Sequence, residues 1–396
     1  MKFKEYVMQT GKFPTYHLFN LLPEEKELNL DKPSSRVFTS SSGKKAIAAL
    51  EDIELNRNHS WYKELKNRVN GNENKTALFY RGTKISFEEL FQKADEVAAA
   101  MVNVGVKKGD EIPVCLANTP ELVYVMLAAN RIGAKLNLFG SHYDKNYLSN
   151  ILDNCSKKVF FASDDVYEEI KELIDNKHFE NKVLISLADS LPKVPELCDE
   201  YEKELDEYYR YSNNVSFYKN LSPSILSWGE FVEKSKDFVG EIVDDNNLDT
   251  EFLVTYTSGS TKRGFPKQIV HSNRNLIIMS RFRDQELSGI PKIEGLRGLA
   301  HIHSDSNTNL VSCITDTLTQ LWCVALEPEY SDKKALDYVV LNKPNICMIT
   351  TSFAVKMAKD YLIEKNLKVE KCHIFLLLWQ LVKLLLVVKK NLLINF

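Results

Sequence analysis

The stretch IPVCLANTPELVYVMLAANRIGAKLNLF, residues 112–139, is the part of the sequence that decides the fold. Its first apolar run, Ile112–Leu116, has the length of a buried strand. Thr119-Pro120 then places a helix-capping residue before a proline at the first helical position, and the helix should end at Gly133. A second apolar run, Ala134–Phe139, follows. Strand, helix and strand within about thirty residues predict a βαβ unit, and hence a parallel sheet.

The same alternation continues on both sides of this unit. Upstream, Ser86 and Glu89 form a capping-box pattern that predicts a helix ending near Gly105. Its expected apolar face is Leu90, Ala94, Val97, Ala98 and Met101. Further predicted strands are 158–162, 182–187, 252–256, 297–302 and 346–350, and further predicted helices are 164–175, 272–286, 307–326, 333–342 and 352–365. The sequence therefore predicts an α/β fold with two mostly parallel sheets and flanking helices.

The chain divides by composition into an N-terminal extension (1–50), a main domain (51–370) and an apolar tail (371–396). Residues 1–75 are polar, and we expect them to lie over a core rather than to build one. Residues 190–250 are acidic and aromatic-rich without a clear period, which indicates an excursion between the two sheets.

The tail KCHIFLLLWQLVKLLLVVKKNLLINF, residues 371–396, contains no Asp, Glu, Gly or Pro. Its apolar centre, 374–388, is shorter than the ~20 residues that span a bilayer, and Lys383 interrupts it. Three interpretations stay open: a change of reading frame near residue 371, a buried or oligomer-forming helix, and a membrane contact. The composition favours the first, and membrane contact is the least favoured.

Overall composition indicates a globular cytoplasmic protein. The sequence is 44% hydrophobic and 27% charged, with a net charge of −3, which gives no sign of a nucleic-acid surface. Its seven cysteines are scattered and never in a CxxC pair, so we expect reduced thiols rather than disulfides or a zinc site. The N-terminus does not resemble a signal peptide.

A second stretch, YTSGSTKRGFPK (256–267), carries the chemistry. Glycines allow backbone N–H groups to converge on an anion, and the hydroxyl and basic side chains add donors and charge, so the stretch can hold nucleotide phosphates. The alternative is an ordinary hydroxyl-rich turn. Because the stretch follows a predicted strand and precedes a predicted helix, its position favours a ligand loop.

The spacing of Gly259 and Gly264 is that of a Walker A loop, but the residues that follow are not. Walker A requires Lys-Ser/Thr directly after the second glycine, whereas Phe265-Pro266 stands here. Proline also has no N–H to donate to a phosphate. The sequence therefore excludes a P-loop NTPase.

The stretch resembles the phosphate-binding signature of the adenylate-forming superfamily, the acyl-CoA synthetases, adenylation domains and luciferases, whose pattern is roughly [YF]-T-S-G-[ST]-T-G-x-P-K. The one departure is the inserted pair Lys262-Arg263. Upstream, Ser86 to Leu90, Gly105 to Asp110 and Asn118 to Glu121 resemble that family's early core. The matching loop residues are Tyr256, Thr257, Ser258, Gly259, Ser260, Thr261, Gly264, Pro266 and Lys267.

This resemblance implies a ligase that joins ATP and a small carboxylic acid into an acyl-adenylate, and then passes the acyl group to coenzyme A or a carrier-protein thiol. ATP, Mg²⁺ and the thiol are the implied cofactors, an acyl carrier protein is an implied partner, and no nucleic acid is involved. Lys267 is the implied catalytic residue. The implied nucleotide-binding residues are Thr257, Ser258, Gly259, Ser260, Thr261, Gly264 and Lys267.

The resemblance also places His303 where the family has a histidine or aromatic residue beside the acyl pocket, although the alternative of a plain surface or capping histidine is favoured. Asp305 and Asp316 lack partners at ligand spacing, so no metal ligand is assigned. The family's later Tyr-Gly-x-Thr-Glu and Thr-Gly-Asp runs and its C-terminal lysine are not found in these 396 residues. We therefore expect a truncated, inactive ligase; the alternative is a non-catalytic nucleotide-binding or regulatory remnant.

Overall fold

The strands of the computed structural model fall where short apolar runs lie between turn residues. The structure describes residues 35–39, 45–49, 55–192, 215–220, 222, 224–257, 266–287, 295–328, 331 and 334–348. The strands are β1 (Ser35–Thr39), β2 (Lys45–Ala49), β3 (Thr76–Tyr80), β4 (Thr83–Ser86), β5 (Glu111–Cys115), β6 (Lys135–Leu138), β7 (Phe160–Ser163), β8 (Lys182–Ile185), β9 (Ile225–Ser227), β10 (Glu251–Tyr256), β11 (Gln268–Ser272), β12 (Arg297–Ala300), β13 (Cys323–Leu326) and β14 (Ile346–Cys347).

Helices alternate with these strands along most of the described chain. They are α1 (Trp61–Val69), α2 (Phe87–Asn103), α3 (Pro120–Ile132), α4 (Lys145–Asn154), α5 (Asp164–Asp175), α6 (Trp228–Glu233), α7 (Asn273–Leu287), α8 (Thr317–Thr319) and α9 (Ala335–Asn342). A 3₁₀ turn covers Lys234–Asp237 and a π-helix covers Thr308–Asp316. The predicted helix 352–365 and the tail 371–396 lie outside the described residues.

Two larger sheets and one separate pair contain all of these strands. The seven-stranded sheet has the order β11-β10-β6-β5-β7-β8-β9, and every pair in it is parallel except β10 with β11. The five-stranded sheet has the order β14-β12-β13-β3-β4, with only β4 antiparallel. β1 pairs with β2 alone. The prediction of two mostly parallel sheets with flanking helices is confirmed.

The two helices predicted from caps begin and end as expected. Ser86 caps α2 in a complete capping box with Glu89, and all five predicted apolar residues of that helix are buried. Pro120 is the first residue of α3. The helix ends at Gly133, which adopts the left-handed conformation with φ of 72°. Every residue of α3 except Arg131 is buried. α2 packs along one side of this helix, and the strands that precede and follow it in the chain, β5 and β6, belong to the seven-stranded sheet.

The expectation that residues 1–75 build no core is wrong for α1. Trp61, Tyr62 and Leu65 are almost completely buried, and the Trp61 ring stacks on Phe252 of β10 with centroids 5.9 Å apart. The spacing of Trp61, Leu65 and Val69 is the i, i+4, i+8 stripe of a packed helix. Charged residues lie between these three apolar positions, so the average composition of residues 1–75 does not show the stripe.

The predicted helix 307–326 is also partly wrong. The helical part is the π-helix followed by the short α8, and Leu321 adopts a φ of +57° just beyond them. The last four residues, Cys323–Leu326, form β13, which is buried between β12 and β3. A short apolar run fits a buried strand and a buried helix equally well, and its neighbours in the sheet decide between them.

The excursion predicted for 190–250 adds β9 and α6 to the seven-stranded sheet, where β9 pairs in parallel with β8. Cys115, Cys155, Cys313, Cys323 and Cys347 are free thiols, as expected. Across the part of the chain that the structure describes, no helix is both long enough and apolar enough to cross a bilayer.

Candidate functional site

The glycine-rich stretch connects the two strands of a hairpin. β10 and β11 are antiparallel, with Tyr256 opposite Gln268. At the base of the connection, the Thr257 N–H donates to the Lys267 carbonyl at 2.9 Å. The Lys267 N–H in turn donates to Thr257 Oγ1, also at 2.9 Å. These two hydrogen bonds hold the second and last residues of the signature, Thr257 and Lys267, side by side, with the Lys267 side chain exposed.

The helix predicted at 272–286 is confirmed as α7, but a strand that was not predicted lies between it and this stretch. β11 intervenes, and α7 begins only at Asn273. A helix N-terminus attracts anions within its first turn, so the α7 macrodipole does not act on this connection. The missed strand, Gln268–Ser272, lies at the sheet edge and is only partly buried, so it lacks the apolar run that marks the central strands.

Two of the predicted nucleotide-binding residues, Thr257 and Lys267, are brought together by this hairpin. The remaining ones lie outside the described residues, and their binding roles stay predictions: Ser258, Gly259, Ser260, Thr261 and Gly264.

Three tyrosine rings support the base of the connection. Tyr143, Tyr147 and Tyr256 pack edge to face, with ring centroids 5.8 to 6.1 Å apart. The Tyr147 hydroxyl donates to the Pro266 carbonyl at 2.8 Å, and the Tyr256 hydroxyl donates to buried Asn137 of β6 at 2.8 Å. These contacts fix both ends of the connection to the body of the sheet.

The connection lies where the carboxyl ends of the two sheets meet. Because β10 runs parallel to β6, the residues after both strands share one edge of the seven-stranded sheet. Asn118, which follows β5 at that edge, donates its amide to the Ile302 carbonyl at 2.8 Å and accepts from the Asn309 amide at 2.7 Å. Ile302 follows β12, so Asn118 joins the edges of the two sheets. Ligands of open α/β sheets bind at such edges.

His303 lies in a group of polar side chains at this junction. Tyr143 donates its hydroxyl to Asp305 Oδ2 at 2.7 Å, and the His142 and His303 rings face each other with centroids 5.6 Å apart. We call His142, Tyr143, His303 and Asp305 the polar wall. Tyr143 belongs both to the wall and to the tyrosine cluster, so the wall is one aromatic ring away from the base of the connection.

Burial and charge set the protonation of this wall. Burial raises the pKa of Tyr143, and the Asp305 carboxylate raises it further, so the hydroxyl stays protonated. Desolvation lowers the pKa of His303; Asp305 opposes that shift and His142 adds to it. His303 is solvent-accessible in spite of this desolvation, and at neutral pH its imidazole is uncharged. His303 therefore offers hydrogen bonds rather than a positive charge.

His142, Tyr143 and Tyr147 were not predicted as site residues. The available signal was their position: they follow directly after the strand predicted at 134–139, on the edge where parallel sheets bind ligands. His142 and Tyr143 contact His303 and Asp305, which lie about 160 residues further along the chain. No local sequence pattern encodes these contacts.

The two aspartates considered for a metal have structural partners. Asp305 accepts from Tyr143, and Asp316 pairs with Arg283 at 3.1 Å. Over the described ranges, no group of three or more His, Cys, Asp or Glu side chains is arranged to hold a metal ion.

A cavity of about 420 Å³ lies elsewhere, between α1 and α7. Its buried carboxylate, Glu64, accepts from His59 at 2.7 Å and from Arg68 at 2.6 Å. Arg281 is a third partner at 3.0 Å. Asp284, a second carboxylate of the lining, pairs with Arg68 at 2.6 Å. Because the two carboxylates and the two guanidiniums neutralise one another, we assign no ligand to this cavity, and the site at the junction of the sheets remains the candidate.

Comparison with known proteins identifies the family of the chain. The family model described as AMP-binding enzyme matches residues 65–372. The chain belongs to this family. The match includes both sheets from β3 to β14, the hairpin and the polar wall.

Curated members of the AMP-binding enzyme family align over part of the chain. Acetyl-coenzyme A synthetase of Marinomonas sp. (strain MWYL1) is 27% identical over 266 residues, 64% of this chain and 37% of that protein. The 3-hydroxypropionyl-coenzyme A synthetase of Sulfurisphaera tokodaii is 26% identical over 216 residues, 52% of this chain and 29% of that protein. The chain thus spans about a third of the length of these relatives.

A solved structure shows the same fold. The anthranilate CoA ligase AuaEII, in complex with anthranoyl-AMP, superposes with a TM-score of 0.58 at 16% identity, covering 76% of this chain and 52% of that one. The proteins compared are named as coenzyme A synthetases and a CoA ligase, and this chain shares their AMP-binding enzyme family.

Proposed function

We propose that the chain is the nucleotide-binding part of an ATP-dependent, AMP-forming carboxylate ligase. The observation that carries this proposal is the pair of hydrogen bonds between Thr257 and Lys267. They close the signature stretch into a loop in which Lys267 lies beside Thr257, at the edge where the two sheets meet.

The proposed reaction makes use of this closure. The substrate carboxylate attacks the α-phosphorus of ATP, and negative charge builds on the departing pyrophosphate. The Thr257 hydroxyl, whose oxygen is held by the Lys267 N–H at the loop base, and the exposed Lys267 ammonium donate to that charge and stabilise it. Mg²⁺ bound to the phosphates shares this task when present, and we assign it no protein ligand. A thiol, of coenzyme A or of an acyl carrier protein, then receives the acyl group.

The names of the relatives support a short carboxylic acid as substrate. The two relatives compared above are synthetases of acetyl-coenzyme A and 3-hydroxypropionyl-coenzyme A. The Mus musculus relative, 26% identical, is an acyl-CoA synthetase of the short-chain family. We extend this class, short acids, to the present chain.

Calorimetric titration with ATP and Mg²⁺ tests the nucleotide site. We expect micromolar affinity, and we expect Lys267→Ala to weaken it about tenfold, since a charge-assisted contact contributes about 1.5 kcal/mol or more. Lys236→Ala is the matched control, because Lys236 is an exposed lysine in the 3₁₀ turn. Equal ATP affinity of the Lys267 and Lys236 variants would contradict the assignment of Lys267.

ATP–pyrophosphate exchange separates the ligase from the non-catalytic alternative when it is measured on a version extended by an in-frame C-terminal domain; we expect no exchange from these 396 residues alone. Exchange that depends on a short carboxylic acid supports the ligase. ATP binding without exchange for any acid supports a nucleotide-binding or regulatory role instead. Absence of ATP binding refutes both.

A further inference from the structure

The polar wall presents hydrogen-bonding groups where an acyl group bound beside the loop would lie. Tyr143 contacts Tyr256 with its ring and Asp305 with its hydroxyl, and Thr257 is the residue after Tyr256. The Tyr143 ring centroid lies 6.0 Å from that of Tyr256 and 4.5 Å from that of His142, so one ring separates the residue before Thr257 from the first imidazole of the wall. The wall contains two accessible imidazoles, His142 and His303.

The chemistry of these groups suits a hydroxyl. Imidazole ring nitrogens donate or accept hydrogen bonds, so two rings with centroids 5.6 Å apart can contact the donor and the acceptor of one alcohol group. A second carboxylate suits the wall less well, because the Asp305 carboxylate is buried behind it, only 6% exposed. A long alkyl chain suits it least, because it would remove water from the imidazoles without replacing their hydrogen bonds.

We propose that the polar wall selects a short hydroxylated carboxylic acid, whose hydroxyl is hydrogen-bonded by His142 and His303. This inference rests on the proposed ligase function and adds the chemical class of its substrate. It makes His142 and His303 specificity-determining residues, with Tyr143 and Asp305 as the groups that hold the wall together.

Gly140 positions the His142 ring. A Cβ atom at residue 140 would lie 2.3 Å from His142 Cε1 and 2.4 Å from Nδ1, so the imidazole lies directly over the glycine. It would also lie 3.2 Å from Asp305 Oδ2. An alanine at this position therefore has to displace the His142 ring, a movable side chain, while the imidazole itself stays in the protein.

Two non-hydrolysable acyl-adenylate analogues of equal size test the proposal by binding rather than turnover. They are 3-hydroxypropionyl-sulfamoyl adenosine and butanoyl-sulfamoyl adenosine, which differ by a hydroxyl in place of a methyl group. In calorimetric titrations of the full chain, we expect the hydroxylated analogue to bind about tenfold more tightly, because a site that hydrogen-bonds a hydroxyl loses that bond with the apolar isostere. Octanoyl- and malonyl-sulfamoyl adenosine are expected to bind more weakly than the hydroxylated analogue.

The ratio of the two affinities is the decisive readout, since a general loss of stability weakens both analogues together. We expect His142→Phe to bring the ratio to within about twofold of unity, and Gly140→Ala to lower it by displacing the ring. His178→Asn is the matched control: His178 is exposed and lies between α5 and β8, at the opposite edge of the sheet. Its ratio should equal that of the unmodified protein.

The outcomes distinguish this inference from the proposed function. Equal affinity of the unmodified protein for the hydroxypropionyl and butanoyl analogues overturns the selection of a hydroxyl and leaves the ligase proposal standing. An unchanged ratio in both His142→Phe and Gly140→Ala overturns the role of His142. Failure of every analogue and of ATP to bind overturns the proposed function, and this inference with it.

Discussion

Replacing Glu121 with glutamine is expected to stabilise the protein at pH 8 much more than at pH 5. Glu121 is the second residue of α3 and is 1% exposed; the Ser190 hydroxyl donates to its Oε1. Burial raises the pKa of this carboxyl from 4.5 to about 7, and the nearby Asp189 charge adds to the effect. Glutamine keeps the shape and the hydrogen-bonding capacity of the neutral acid but cannot ionise.

The magnitude follows from the two pKa values. Because the folded pKa is raised, the stability associated with the neutral carboxyl is fully present below about pH 4.5 and is lost as the pH rises through about 7. Linkage between these values gives a loss of about 0.8 kcal/mol by pH 5 and about 3.3 kcal/mol by pH 8. The substitution should therefore add about 2.5 kcal/mol more to the free energy of unfolding at pH 8 than at pH 5.

Urea unfolding followed by tryptophan fluorescence measures this difference. Trp228 of α6 stacks on Tyr124 of α3, with ring centroids 6.3 Å apart, so the fluorescence of Trp228 reports on the folding of α3. Glu88→Gln is the matched control, since Glu88 occupies the same second position of α2 but is exposed. We expect the control to change stability by less than about 1 kcal/mol at either pH. The same gain for Glu121→Gln at pH 5 and pH 8 would refute the reasoning.

Two further substitutions test how the sheets are joined and how α3 ends. Asn118→Ala should lower the free energy of unfolding by about 2 kcal/mol, because it leaves the Ile302 carbonyl and the Asn309 amide without their bonds; exposed Asn103→Ala should stay within about 0.5 kcal/mol in the same urea titration. Gly133→Ala should lower the thermal midpoint by the equivalent of about 1–2 kcal/mol, because φ is +72° and a Cβ would lie 3.0 Å from both Asp245 and Lys108. The control, Gly229→Ala within α6, places a Cβ with no atom within 4 Å and should raise the thermal midpoint slightly.

The elements predicted best are those whose ends are encoded locally. Ser86 with Glu89, and Pro120 with Gly133, specify their helices through contacts within a few residues, so no knowledge of the rest of the chain is needed. The apolar runs before and after α3 specify buried strands in the same way, since each is too short for a helix and is bounded by turn residues.

The elements predicted wrongly depend on distant partners. β13 is a strand because β12 and β3 lie on either side of it, and β3 is more than 200 residues away. β11 is a strand because β10 pairs with it at an edge, in spite of its modest apolar character. α1 is buried because β10 and α8 cover its tryptophan. Each outcome was decided by tertiary pairing, which outweighs weak local preferences.

The candidate site shows the same division. The signature residues Thr257 and Lys267 could be named from sequence, because a phosphate loop is a local chemical pattern. The polar wall could not, because His142 and Tyr143 meet His303 and Asp305 only after the two sheets have packed. Asn118 and Glu121 gain physical roles from the same packing: Asn118 joins the sheet edges, and Glu121 is a buried acid at the start of α3.

The inserted pair Lys262-Arg263, the one departure from the family signature, is compatible with the geometry of the loop base. Nine residues separate Thr257 from Lys267, against seven without the insertion. The closure entropy of a connection grows with the logarithm of its length, so the two added residues cost only about 0.2 kcal/mol. One backbone hydrogen bond, the bond from the Lys267 N–H to Thr257 Oγ1, and the Tyr147 contact to Pro266 fix the ends of the connection. The insertion therefore lengthens the connection without moving Lys267 away from Thr257, and it adds two positive charges between positions that the signature requires to be close.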